Sequence, residues 1–342
     1  MNNKKMNNRT SKQDESRKQN GPHKGLSWIL NYIVNRVGIF LVALVVFIAG
    51  SIIYPQFLTA QNIVSILWTV SILGLAASGV AFVTYSGHFA DLSVVAIIAF
   101  SGNITITALP LGLFPALVCG LVAGVAIGLI NGLIIGQLRA NPILWTLAIT
   151  IAMEGIQRVL WGNMPIYPNM DAGTAGETFI SLFGKRVLGI PIPIILMIVT
   201  YLFFHILWKK TSFGMQIKYL GESYEAARLS GINVKRNVLL VFMISSLTSS
   251  IAGIFMASMG AVGGYYVGLG YDFRALTAVV LGGVMLDGAR GSMIGVMGGV
   301  ITIGAVTCLL TFLGMKFFQQ GMITGMIFIV IVWFFTLREA RR

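Results

Sequence analysis

Few residues in this 342-residue chain have the types and spacing needed for catalysis. The three histidines, His23, His88 and His205, lie far apart, and their spacing predicts no metal site. The sequence contains no GxxxxGK(S/T) phosphate loop, no HExxH motif and no nucleophile elbow. It therefore predicts that any ATP chemistry belongs to a partner, and that the chain is not an enzyme.

A few ionisable residues lie next to or inside long apolar segments. Asp91 directly precedes an apolar segment, where it is either the N-cap of a helix or a proton site. Glu154 and Arg158 are four residues apart, so on a helix they face the same side and form either a structural ion pair or a substrate contact. A pump driven by protons or sodium is expected to bury more carboxylates than this.

Uncharged polar residues inside apolar segments are the other candidates for contact with a solute. With Glu154, the residues that we consider as lining a substrate pathway are Ser93, Asn103, Asn131 and Thr146. Hydrogen bonding between packed helices is the alternative role for each of them.

The amino-acid composition predicts the structural class of the protein. The chain is 56% hydrophobic and 10% charged, with a mean hydropathy of +0.84, whereas a soluble domain has about 25% charged residues. No long alternating pattern of strands is visible, and Gly is abundant at 40 residues, as suits closely packed membrane helices. We therefore expect an all-α polytopic membrane protein.

Apolar segments long enough to cross a bilayer predict about ten transmembrane helices. Their approximate bounds are 37–54, 63–85, 92–109, 112–137, 142–161, 191–208, 237–262, 274–287, 291–314 and 320–337. With both termini in the cytoplasm, 19 of the 24 Lys and Arg residues fall on the cytoplasmic side. This bias is the positive-inside pattern, and it favours ten spans with cytoplasmic N- and C-termini.

Two of these spans are expected to be short or broken. The eighth, 274–287, is too short for a full crossing and follows a Gly-rich segment, so it is either a half-helix or a re-entrant element. The polar residues around "SGHFADLS" predict a second break near Gly87. The outward loop 161–190 is either a lid, a docking surface or an ordinary connection.

The basic N-terminal segment predicts a tail and not a signal peptide. Residues 1–36 hold eight Lys or Arg in a polar background, which indicates a disordered cytoplasmic tail and no nucleic-acid partner. We divide the chain into this tail, a transmembrane permease domain (37–337) with a cytoplasmic loop at 209–236, and a cytoplasmic end (338–342).

Within the cytoplasmic loop, the stretch "GESYEAARLSGINVKRN" predicts a short helix. Ser223 is placed to cap a helix over residues 224–230, Glu225 lies in its first turn, and Gly231 suits a left-handed C-terminal cap. A two-turn helix is too short to be stable alone in water, so it needs a partner surface.

Several segments resemble the ribose/galactose/xylose-type sugar permeases of ATP-binding-cassette importers, which belong to the same broad group as branched-chain amino acid permeases. "EAARLSG" is similar to the start of the loop by which such permeases bind their ATPase. "ADLSV", "GLINGLIIGQLRANPILWTLAI", "TSFGMQIKYLGE" and "GYDFRALTAVVLGGVMLDGARGSMIGVMGGV" also agree, so the resemblance covers residues 60 to 337. The chain departs from the family's usual residues at Val95, Glu154 and Asp287–Ala289, which leaves the identity of the sugar open.

The resemblance implies a vitamin-B12-importer-like (type II) permease in the bacterial cytoplasmic (inner) membrane. It implies that the chain lies in the lipid bilayer and works with three protein partners. These are a cytoplasmic ATPase that carries ATP and Mg, a second permease copy (homodimer or close heterodimer), and an extracytoplasmic solute-binding protein. This chain itself would bind no cofactor or metal. The residues that it implies for ATPase coupling are Gly221, Ser223, Glu225, Ala226, Ala227, Arg228 and Gly231.

The implied cargo is a pentose or hexose. A branched-chain amino acid, a nucleoside or a sugar-like signal molecule are alternatives within the same class of importer. A transporter coupled to an ion gradient is the alternative from a different class, and a channel or an intramembrane enzyme fits the sequence less well.

Overall fold

The structure, a computed structural model, describes residues 24–187 and 189–340, and this part of the chain is mostly helical. Its thirteen α-helices are α1 (Lys24–Ile53), α2 (Ala60–Tyr85), α3 (Val94–Ala108), α4 (Leu113–Leu138), α5 (Pro142–Trp161), α6 (Ala175–Gly184), α7 (Ile192–Lys210), α8 (Ser212–Glu222), α9 (Tyr224–Leu229), α10 (Val234–Gly260), α11 (Tyr271–Leu281), α12 (Met293–Phe312) and α13 (Phe317–Ala340). Two short strands, β1 (Arg186–Val187) and β2 (Ile190–Pro191), pair antiparallel between α6 and α7.

Within the described residues, seven helical segments are long and apolar enough to cross a membrane, and so the chain is a polytopic membrane protein. They are α2, α3 with the following turn to Leu111, α4, α5, α7, α10 and α12. Shorter apolar stretches lie in α1 (Ile39–Ile53) and α13 (Phe317–Trp333). With α11, these helices match the ten predicted spans in order, while the count of ten crossings stays a prediction.

The first helix begins earlier than expected. We expected disorder over residues 1–36 and a first span from 37, but α1 begins at Lys24. The last third of the expected tail is therefore helical, because apolar residues recur there at helical spacing (Leu26, Ile29, Leu30 and Ile33). The rest of the predicted tail, residues 1–23, and residues 341–342 of the predicted C-terminal end lie outside the described residues.

The helices run between two ends of a bundle, and α2 lies at its centre. In α2, 83% of the most apolar stretch is buried, and the helix packs against α7, α10, α11 and α12. Tyr85, the last residue of α2, lies beside Gly221, three residues before α9 begins. We call this the α9 end of the bundle. At the opposite end, Ile166 after α5 pairs with Gly263 after α10.

Close packing of α4 on its neighbours depends on glycines at every fourth position. At Gly124 and Gly128, an added Cβ would overlap the side chains of Ser250 and Ser246 on α10. The five glycines that share this side of α4 are Gly120, Gly124, Gly128, Gly132 and Gly136. Helices that meet through small residues approach closely and gain dispersion contacts, which replace the hydrophobic effect as the driving force inside a membrane.

The eighth predicted span is a half-helix. Its helix, α11, has 11 residues and is therefore about 16 Å long, roughly half of the hydrocarbon thickness. It begins after Gly270 (φ +78°) and ends before Gly282 and Gly283 (φ +86°). The non-helical segment before it, residues 261–270, reaches into the bundle, where Gly268 packs against Ile98 near the start of α3. Non-helical backbone at this depth is tolerated because protein surrounds it.

Candidate docking surface and pathway residues

The short helix α9 forms where the sequence predicts it. Ser223 has an extended backbone (φ −165°, ψ 120°), and its Oγ accepts a hydrogen bond of 3.2 Å from the Ala226 N–H. This bond satisfies one of the free N–H groups of the first turn. Glu225 lies in the same turn, where a negative charge complements the helix dipole. The predicted N-terminal cap is confirmed.

The C-terminal end of α9 is closed by Gly231. Its φ is +79°, the left-handed conformation that glycine adopts without strain. The Ile232 N–H donates to the Ala227 carbonyl (3.1 Å), and the Gly231 N–H donates to the Arg228 carbonyl (3.1 Å). These two bonds make a Schellman motif, which confirms the predicted C-terminal cap at Gly231.

The side chains of α9 divide into a buried and an exposed set. Ala227 is 1% exposed and packs into the main hydrophobic core, so its methyl group anchors the helix to the bundle. Glu225, Ala226 and Arg228 are exposed. Leu229 is 86% exposed. A single exposed apolar side chain is common on protein surfaces, so Leu229 matters only together with other exposed apolar residues at this end of the bundle.

Sequence reasoning missed Leu229 and two exposed apolar residues of α8. Met215 and Tyr219 are 56% and 50% exposed, and they border a cavity of about 540 Å³ between α8 and the end of α9. Its lining residues are Ser212, Met215, Gln216, Tyr219, Ser230 and Ile232. We call α9 together with this cavity the docking surface. The available signal was the occurrence of apolar residues within a polar loop between two spans.

The turn between α4 and α5 is tied to the docking surface by Arg139. Its guanidinium lies over the Tyr224 ring at 4.7 Å and is 4.0 Å from the Glu225 carboxylate. Glu225 also pairs with Arg228 at 3.7 Å. All these charged groups are more than half exposed, so the pairs add little stability. They orient Glu225 without making it necessary for folding.

Three chain connections meet through glycine backbones directly before α9. Gly221 is the penultimate residue of α8, Gly87 follows α2, and Gly288 lies between α11 and α12. A Cβ added at Gly288 would lie 2.7 Å from the Gly87 nitrogen and 3.0 Å from the Gly221 Cα, and one at Gly221 would overlap the Tyr85 carbonyl. The Ala289 N–H donates to that carbonyl at 2.8 Å. We call this contact the glycine junction; it joins the base of the docking surface to the end of α2.

The predicted break near Gly87 is confirmed, and the connection that follows it is buried around Asp91. Asp91 does not cap α3 as expected, because that helix begins after Ser93. Its carboxylate instead accepts hydrogen bonds from the Ser93 N–H (3.0 Å), the Ser93 hydroxyl (2.5 Å) and the Ser245 hydroxyl (2.8 Å). Burial raises the pKa of the Asp91 carboxyl, and these bonds oppose the rise.

Four of the five pathway candidates are buried in contacts between helices. The Asn131 amide donates to the Ser93 hydroxyl at 2.8 Å. The Thr146 hydroxyl accepts from the Leu92 N–H at 3.1 Å, and the Asn103 amide donates to the Gln157 amide oxygen at 2.9 Å. Ser93, Asn103, Asn131 and Thr146 are each 0–1% exposed. In this conformation they hold α3, α4 and α5 together.

Glu154, the fifth candidate, lies on the surface of α5. Its carboxylate is 2.6 Å from the Arg158 guanidinium, and both side chains are 44% exposed. The same guanidinium lies 4.0 Å from the centroid of the Tyr265 ring, and it donates to the Asn163 side chain at 3.3 Å. The structure thus brings Glu154 and Arg158 together as an ion pair, apart from the buried candidates.

The similarity to known proteins covers the same part of the chain as the apolar helices. A model of the family described as "Branched-chain amino acid transport system / permease component" matches residues 62–332. The L-arabinose transport system permease protein AraH of Escherichia coli (strain K12) is 34% identical over 310 residues, covering 90% of this chain and 92% of that protein. The ribose import permease protein RbsC of Bacillus subtilis (strain 168) is 34% identical over 303 residues, covering 88% and 92%.

Proposed function

The chain belongs to the family of branched-chain amino acid transport system permease components, and we propose that it is the membrane-spanning subunit of an ATP-driven importer of a monosaccharide. The two relatives are named for L-arabinose and ribose, both pentoses, which supports a monosaccharide as the cargo, either a pentose or, more broadly, a hexose. The observation that carries the proposal is α9, a capped two-turn helix that is held to the bundle by Ala227 and carries an exposed Leu229. Such a helix suits a separate ATPase that binds at this end.

The motifs that this chain lacks indicate which subunit binds ATP. It has no phosphate loop, so ATP and Mg bind on the partner ATPase, which contacts the docking surface. A second copy of the permease, identical or closely related, completes the pathway. A solute-binding protein delivers the sugar at the opposite end of the bundle, near the Ile166 and Gly263 connections. This chain therefore binds no cofactor or metal of its own.

The proposed orientation places the α9 end in the cytoplasm of a bacterial cell, below the inner membrane. The basic residues Arg139, Lys218, Arg228 and Arg290 belong to connections at that end, as the positive-inside pattern requires. The chain then crosses the membrane ten times in a type II importer arrangement, with both termini in the cytoplasm. In this arrangement α11 and the segment 261–270 together make the eighth crossing.

The glycine junction supports a route by which ATPase movement reaches the pathway. Movement of α9 acts on Gly221, which lies in backbone contact with the connections after α2 and before α12. Because no side chains separate these backbones, a displacement of a few tenths of an ångström is not absorbed locally. We therefore assign the transmission of the ATPase stroke to this junction and the helices that end there.

Reconstitution in proteoliposomes tests the function. The chain is incorporated with its cognate ATPase and solute-binding protein, and uptake of labelled L-arabinose, D-ribose and L-leucine is measured. We expect uptake of a sugar that requires ATP and ceases when the ATPase cannot hydrolyse it. Uptake by the chain alone, driven by a proton or sodium gradient, would refute the importer. ATP-dependent uptake of leucine in place of sugar would support the alternative of a branched-chain amino acid; a nucleoside or a sugar-like signal molecule is tested in the same assay.

A further inference from the structure

The ion pair of Glu154 and Arg158 lies on an unusually exposed membrane helix. Only 11% of the most apolar stretch of α5 is buried, and both charged side chains are nearly half exposed. Glu154 lies seven residues before the end of α5, which places it about 10 Å inside the helix end. Charges at this depth are costly in hydrocarbon and are therefore found facing water, a polar ligand or protein.

One aromatic and one polar residue from two other elements lie on or next to this part of α5. Tyr265, in the non-helical segment before α11, packs on the Arg158 guanidinium. Asn103 of α3 donates to Gln157, a buried residue of α5 that directly precedes Arg158 in the sequence. The Asn103 side-chain oxygen is buried and has no hydrogen-bond partner among the described residues. A Cβ added at Gly263 would lie 2.5 Å from this oxygen, so the Gly263 backbone packs directly against it.

We propose that Glu154 and Arg158 form a contact site for a neutral sugar in the half of the pathway away from α9. The inference rests on the proposed function and names residues that touch the cargo. The two groups pair through one carboxylate oxygen and one guanidinium nitrogen. The second carboxylate oxygen of Glu154 is free to accept a hydrogen bond from one hydroxyl of the sugar. The remaining N–H groups of Arg158 donate to the adjacent hydroxyl. Vicinal hydroxyls of a monosaccharide offer this pattern without breaking the ion pair.

The net charge of the pair distinguishes a sugar from an amino acid. A zwitterion would gain most by placing its carboxylate on Arg158 and its ammonium group on Glu154, which requires separating two groups now 2.6 Å apart. A polyol binds the intact pair. Tyr265 acts as a positioning residue, because its ring face holds the guanidinium by a cation–π contact.

Cysteine labelling tests whether the site faces the pathway. Cys119 and Cys308 are replaced by alanine, and Gly155→Cys introduces a thiol beside Glu154 at an exposed position with open space around it. In the assembled importer without nucleotide, we expect a membrane-impermeant maleimide to label this cysteine, and millimolar L-arabinose or D-ribose to slow the labelling. Absence of labelling would place the site in lipid or in a protein contact, and protection by L-leucine but not by sugar would overturn the assignment of the ligand.

Substitution tests the two contact residues in the same assembly. We expect Glu154→Gln and Arg158→Gln each to lower ATP-dependent sugar uptake about tenfold, as for loss of one hydrogen bond to a charged group, with ATPase binding unchanged. Glu177→Gln on α6, an exposed carboxylate at the same end, is the matched control. If both variants transport like the control while the wild type imports sugar, the site is refuted and the importer stands. If the wild type imports no sugar, the proposed function fails first.

The role of Tyr265 is tested by a conservative and a non-conservative change. Tyr265→Phe keeps the ring over Arg158, so we expect uptake close to that of the wild type, whereas Tyr265→Leu should lower it as Arg158→Gln does. The adjacent Tyr266 has an exposed ring, so Tyr266→Leu controls for loss of an aromatic residue in this segment. Equal loss in Tyr265→Phe and Tyr265→Leu would show that the ring does not act by holding Arg158.

Discussion

Two residues of α9 that are close in sequence have opposite roles. Ala227 is buried in the main core, and Leu229 is the more exposed by far, at 86%. The first stabilises the helix on the permease, while the side chain of the second is mostly uncovered by the described residues. A side chain that is open in the isolated subunit can be changed with little effect on folding, so an effect on partner binding can be measured separately.

We expect Leu229→Ser to weaken ATPase association at least about tenfold, because burying a leucine at an interface is worth roughly 1.5–3 kcal/mol. Thermal unfolding of the variant in detergent should stay within about 0.5 kcal/mol of the wild type, since the residue is exposed. Co-purification of the ATPase provides the measurement. Leu138→Ser, at the exposed end of α4, is the matched control. Equal retention of the ATPase by both variants would remove Leu229 from the docking surface.

At the scale of elements, the glycine junction decides how α2, α8 and α12 are placed. Gly221 has little room for a side chain, because an added Cβ would overlap the Tyr85 carbonyl and lie 2.6 Å from the Ala289 nitrogen. Those two atoms form the hydrogen bond that closes the junction. Backbone atoms cannot move away as a flexible side chain does. A methyl group added at Gly221 would therefore push the connections apart.

We therefore expect Gly221→Ala to destabilise the chain by about 1–3 kcal/mol, the usual cost of overpacking, and to lower sugar uptake more than ATPase binding. The measurements are thermal unfolding, ATPase co-purification and ATP-dependent uptake. Gly321→Ala is the control, since Gly321 lies inside α13 and an added Cβ there would meet no atom within 4 Å beyond its chain neighbours and the backbone of its own helix, among the described residues. Alanine there should be neutral or stabilise the helix slightly. A Gly221→Ala variant as stable and active as this control would disprove the junction.

Local features of these elements could be predicted from the sequence, and distant contacts could not. The caps of α9 depend on Ser223 and Gly231, which lie next to the helix, and the short α11 follows from its glycines. The distant partner of Asp91 is Ser245, which is 154 residues away. A serine inside an apolar span gives no sign of which helix it faces. The sequence likewise gives no sign that Gly87, Gly221 and Gly288 lie close together.

At the scale of the whole molecule, the two ends of the bundle differ in charge and in structure. The α9 end carries a docking surface with a helix held by caps and by one buried alanine. The opposite end carries α6, the β1–β2 hairpin and the bridge between Ile166 and Gly263. The sequence predicted which connections lie at the same end of the bundle, because basic and less basic connections alternate between successive spans. It did not predict the start of α1 within the basic segment.

The proposed orientation predicts which end is reached from outside the cell. In a chain with Cys119 and Cys308 replaced by alanine, we place a single cysteine at Ala172, in the loop before α6, or at Ser230, at the end of α9; both positions are exposed. A membrane-impermeant maleimide should label the Ala172→Cys variant in intact cells. The Ser230→Cys variant should react only after permeabilisation, since its side of the bundle holds most of the basic residues. The reverse pattern would invert the molecule and move the ATPase surface outside the cell, where no ATP is available.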